Sequence, residues 1–86
     1  MINRDDNPVQ WALFMDELEE AREHLEKLIA VITTDRTYDE ERLRIDMGHL
    51  AAHLSRAWAR RNCTRDLTDE EWESWREYPQ DLRPIA

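Results

Sequence analysis

Asp46, His49 and His53 are the residues of this chain whose types and spacing come nearest to a reactive site. Steps of three and four put a carboxylate and two imidazoles on one helical face, where they can approach a single metal ion. A catalytic zinc site needs three protein ligands in suitable geometry, usually oriented by further hydrogen bonds. The other candidates, His24 and Glu17, fit equally well as ion-pair partners of that face. The expectation is a solvated histidine face with no metal and no cofactor, and a weak metal-binding helical protein is kept as the second alternative.

Cys63 is the only cysteine, so no disulfide forms within the chain. It follows the end of a helix, where the dipole disfavours a thiolate while Arg61 and Arg65 favour one. Ten residues, about 15 Å of continuous helix, separate it from His53, too far for a nucleophile and its base. Arg56, Arg60, Arg61 and Arg65 form the only basic cluster. Cations near a helix C-terminus stabilise it, and the acidic residues of the first helix lie within reach, so the cluster reads as structural. None of the many carboxylates sits in an apolar run that would raise its pKa for acid or base work. Glycine-rich phosphate loops, GxSxG, CxxC and HExxH are absent. No catalytic residue is assigned, and the chain is expected not to be an enzyme.

The chemistry is thus expected to lie in surfaces. With 86 residues there is room for one domain, near the lower limit for a single core without staples. One Gly, three Pro and four Trp, with charged and apolar residues interleaved, indicate an all-α protein. A formal net charge of −8 argues against nucleic acid or an anionic membrane as partner and permits a basic protein. No apolar run approaches the ~18 to 20 residues that span a bilayer. The amino end lacks the pattern of a signal peptide, so a cytoplasmic location is the expectation.

A frayed segment is expected over residues 1–7. Asn7 and Pro8 then signal a helix start. Trp11, Phe14, Leu18, Ala21, Leu25, Leu28 and Ile32 follow a three-four alternation, giving a first helix over 8–33. Thr37 with Glu40 forms a capping box for a second helix over 37–62, and the short turn between them makes an antiparallel hairpin. Zipping the seams pairs Leu28 with Leu43, Leu25 with Met47, Ala21 with Leu50, Leu18 with Leu54 and Phe14 with Ala57, and sets Glu17 near His53 and His24 near Asp46. Thr68 and Glu71 cap a third helix over 68–78, with an extended tail over 79–86.

The second helix is the centre of this arrangement because it carries two apolar stripes. Leu43, Met47, Leu50, Leu54 and Ala57 make a large one, and Ile45, Gly48, Ala52, Ser55 and Ala59 a small one. Trp72 and Trp75 of the third helix are expected to cover the last half of the small stripe. Its first half, around Ile45, Gly48 and Ala52, is then left for a second subunit, giving a homodimer with four long helices in one bundle. Leu82 and Ile85 of the tail offer the competing cover. Ile45, Gly48, Ala52, Trp72 and Trp75 are the expected partner-binding residues of a homodimeric scaffold or adaptor. The alternative is an acidic inhibitor or nucleic-acid mimic that presents its carboxylates to a basic protein.

Overall fold

In the computed structural model, which describes residues 1–85, the chain is all-helical: α1 spans Pro8–Thr34, α2 Glu40–Arg60 and α3 Asp69–Ser74. The two long helices pack against each other as a hairpin, and the described residues contain no strand.

Pro8 occupies the first turn of α1, where its missing N–H costs nothing. Asn7 stands at the N-cap position, but its side chain makes no capping bond. The preceding residues are ordered rather than frayed. Asn3 Oδ1 accepts from the Asp6 amide at 2.8 Å, the Ile2 amide donates to the Arg61 carbonyl at 2.7 Å, and the Ile2 side chain is buried. A lone apolar residue in a polar string gains a long-range partner only once the hairpin brings the end of α2 beside it.

α1 closes with Thr33 and Thr34, whose hydroxyls donate back to the carbonyls of Ile29 and Ala30. Asp35 then leaves the helix in extended conformation, and its carboxylate takes bonds from Thr37 and Arg42. This removes Thr37 from the role of cap. Asp39 caps α2 instead, accepting from the Arg42 amide at 2.9 Å. The short carboxylate at position 39 outcompetes the hydroxyl because Thr37 is already committed to Asp35.

The capping box of α3 forms as its spacing predicts, with Thr68 Oγ1 accepting from the Glu71 amide and Glu71 Oε1 from the Thr68 amide. The helix ends at Ser74, short of 78. Beyond it, the Arg76 and Glu77 amides bond three residues back, a tighter winding that precedes Pro79. The tail turns back rather than running extended: Asp81 accepts from Trp58 Nε1 at 3.0 Å and pairs with Arg61 at 3.1 Å.

The hairpin departs from expectation in rotation rather than level. Glu17 stands opposite His53 as predicted, so the register along the axis holds. Part of each apolar row faces the partner helix, Ala21 and Ala57 most fully, but charged residues share the seam and several large apolar residues turn away from it. Glu17 and Ala21 of α1, and Arg56, Ala57 and Arg60 of α2, are buried, whereas Leu25, Met47 and Leu54 are between 43% and 53% exposed. The large residues that turn away each lie one position after a seam residue: Leu18 after Glu17, Leu25 after His24, Met47 after Asp46, Leu54 after His53. One residue is about 100° of rotation. In an antiparallel pair, the same sense of rotation carries both rows to the same side of the hairpin. The large residues therefore lie next to one another on one face instead of between the helices.

Candidate functional site: an apolar hairpin face and a histidine seam

The face is built from Leu18, Leu25, Ile29 and Ile32 on α1 and Leu43, Met47, Leu50 and Leu54 on α2. Leu18, Leu43 and Leu50 are half-buried, and the other five are exposed. Single exposed apolar residues are ordinary, so it is the grouping of these on two adjoining helices that makes the face a candidate site. Glu26 borders it on α1 and Arg44 on α2. The three-four alternation of the apolar residues was readable in advance. Its orientation was not, because the alternation does not say whether a row faces the chain's own second helix or another molecule.

The residues expected to bind a partner are only partly brought together. Ile45 is exposed and edges a cleft of about 430 Å³ lined by His24, Lys27, Leu28, Val31, Arg42, Asp46 and His49. Gly48 is exposed, and a Cβ placed on it would meet nothing within 4 Å, so nothing among the described residues uses its missing side chain. Ala52 is half-buried. Trp75 lines an open depression together with Ser55 and Ala59. Trp72 instead lies under Arg56, whose guanidinium stands 3.6 Å from the ring centre and whose Nε donates to the Trp72 carbonyl. The two tryptophans thus serve the end of α2, about 12 Å along the helix from Gly48. The tail does not reach that stretch: it is tied to Trp58 and Arg61, and Ile85 is 93% exposed.

The histidine face is solvated only in part: His49 is exposed, while His53 is drawn into the seam between the helices. His53 Nδ1 lies 2.8 Å from Glu17 Oε2 and 3.3 Å from Glu20 Oε2, and its side chain is only 15% exposed. The His24 ring stacks on His53 with centroids 5.0 Å apart and meets the edge of His49 at 5.6 Å. Arg60 approaches the same Glu17 carboxylate at 4.0 Å. Asp46 is taken out of this group by Tyr38, whose hydroxyl donates to it. Partial desolvation, then that hydrogen bond, pushes the Tyr38 phenol up to about 12. Glu20 is not among the residues the sequence reading brings to this face, which take only His24 and Glu17 from the first helix. The spacing of Glu17 and Glu20, one turn apart on the helix that faces His53, was the available signal.

Cys63 is half-buried, and its thiol donates to the Arg65 carbonyl. Arg65 in turn makes a two-pronged pair with Glu71, which holds that carboxyl down at about 2. Among the described residues no helix is long and apolar enough to cross a membrane. No protein-family model, curated protein or solved structure matches the chain.

Proposed function

We propose that the chain is a small interaction protein that works as a homodimer, two hairpins joining by their apolar faces into a four-helix bundle that serves as a scaffold or adaptor. The observation that carries this reading is the open face of leucines, isoleucines and methionine set against a thin interior. Among the described residues the buried apolar side chains are Ile2, Ala21 and Ala57, and none of the large side chains is fully buried. Three such residues are few to offset roughly 1.5 kcal/mol of conformational entropy for each ordered residue.

Area supports the same conclusion. A folded monomer of 10.4 kDa exposes about 5,400 Å². This chain exposes 6806 Å². The surplus, about 1,400 Å², exceeds the roughly 800 Å² that each partner loses in an ordinary stable interface. The hairpin face, two helices wide and about 30 Å long, covers on the order of 600 Å² in projection, which is the right scale for that contact. A two-fold pairing that lays α1 on the partner's α2 places the same apolar residues on both sides.

Thermal unfolding over a wide range of chain concentration tests the reading. Dimer stability is coupled to concentration, so Tm should rise between about 1 and about 100 µM. A Tm that is constant over that range would mean the hairpin is stable alone and its face has another use.

A further inference from the structure

The seam between α1 and α2 holds metal-ligating groups at the position where a small helical domain needs packing. His24 and His53 lie in it, with the exposed His49 at its edge and Glu17 and Glu20 converging on His53. We infer that Glu17, Glu20 and His53 bind one divalent first-row transition metal ion, of the zinc class, across the two helices.

Geometry is the first support. One ligand atom from each of the three residues lies within 4.8 Å of the others, and His53 Nδ1 is 2.8 and 3.3 Å from the two carboxylates. Ligands held about 2.0 to 2.1 Å from a tetrahedral centre stand roughly 3.3 Å apart, so small side-chain movements suffice. Imidazole with carboxylates is a donor set that suits zinc, cobalt, iron and manganese.

The second support is what hydrogen bonding leaves unfilled. His53 Nδ1 has one hydrogen bond to make, yet two carboxylates converge on it, one of them from Glu20, whose side chain is 56% exposed and free to turn to water. A cation between them satisfies all three groups at once. Arg60, whose side chain is only 9% exposed, aims at the same cluster, and its Nε has no hydrogen-bond partner. Three protein ligands leave a coordination position for water. The site draws on both helices, with Glu17 and Glu20 from α1 and His53 from α2. It lies within one chain, so it does not depend on the dimer.

The test is titration of the full chain, stripped of metal by a chelator, with Zn²⁺ against a chromophoric competitor and with Co²⁺ followed by visible absorption. One ion per chain is expected. His53→Gln and Glu20→Gln should each weaken binding by at least about tenfold, the lower end of what even outer-shell changes cost. His49→Gln should leave it unchanged. Glu20 is exposed enough that Glu20→Gln folds as the parent does, and Ile29→Glu, on the apolar face, should still bind the ion. Absence of a stoichiometric ion would overturn the assignment. So would binding that survives Glu20→Gln, or binding lost with His49→Gln, which would mark a surface pair of histidines on α2.

Discussion

Glu17 is a carboxylate inside a hairpin that has few apolar residues to put there. It accepts from His53 at one oxygen and faces Arg60 at the other, so it joins α1 to two turns of α2. Removing it leaves an imidazole and a guanidinium half-satisfied in the seam. Glu17→Ala should therefore cost about 1 to 3 kcal/mol in denaturant unfolding, well above the effect of an exposed residue such as Glu23. A second residue-scale prediction concerns acid. Bonds from Arg65 and Thr68 hold Glu71 near 2 in the folded chain, against an ordinary 4.5. A carboxyl depressed on folding contributes stability above its unfolded value and loses it as pH falls. The α3 cap should thus weaken as pH drops from about 4.5 towards 2, read by the fluorescence of Trp72 and Trp75. Asp35, held near 2 by Thr37 and Arg42, should loosen the interhelical turn as pH falls from its ordinary 3.8 towards 2. The level of the Glu17–His53 contact was legible in the spacing. Its burial was not, since a charge on a helix looks the same in sequence whether it borders a seam or fills one.

At the scale of elements, the caps separate what local sequence specifies from what it does not. Thr68 and Glu71 satisfy each other within one turn, and that box formed where the pattern placed it. Thr37 has the same pattern with Glu40, yet Asp35 claims it and Asp39 caps α2. Asp39→Ala should cost about 1 kcal/mol of stability by losing the bond to the Arg42 amide, a larger loss than Thr37→Ala produces. Gly48 divides the two candidate surfaces of α2. A glycine in a helix interior costs about 1 kcal/mol relative to alanine, and here a Cβ meets open space. Gly48→Ala should raise stability by about that amount when the dimer forms on the leucine face. A loss of stability, followed by thermal unfolding, would show that another helix packs closely on Gly48.

The whole molecule is long for its mass. Its radius of gyration is 14.8 Å, against about 12 Å for a compact chain of 86 residues. In the proposed dimer, two hairpins stacked by their apolar faces make a thicker and more compact body, with Leu25, Ile29, Met47 and Leu54 inside. The all-α hairpin with a short third helix was legible because its periodicity is local and strict. The direction of its apolar face was not, because a rotation by one residue exchanges Glu17 for Leu18 and His53 for Leu54 at the seam, and only three-dimensional packing decides between them. Sedimentation equilibrium of the wild type, Ile29→Glu and Gly48→Glu at micromolar concentration tests the account most directly. It predicts a wild type at twice 10.4 kDa, Ile29→Glu shifted to the mass of one chain, and Gly48→Glu still dimeric. A folded wild type at 10.4 kDa, or a dimer that Ile29→Glu leaves intact, would contradict it.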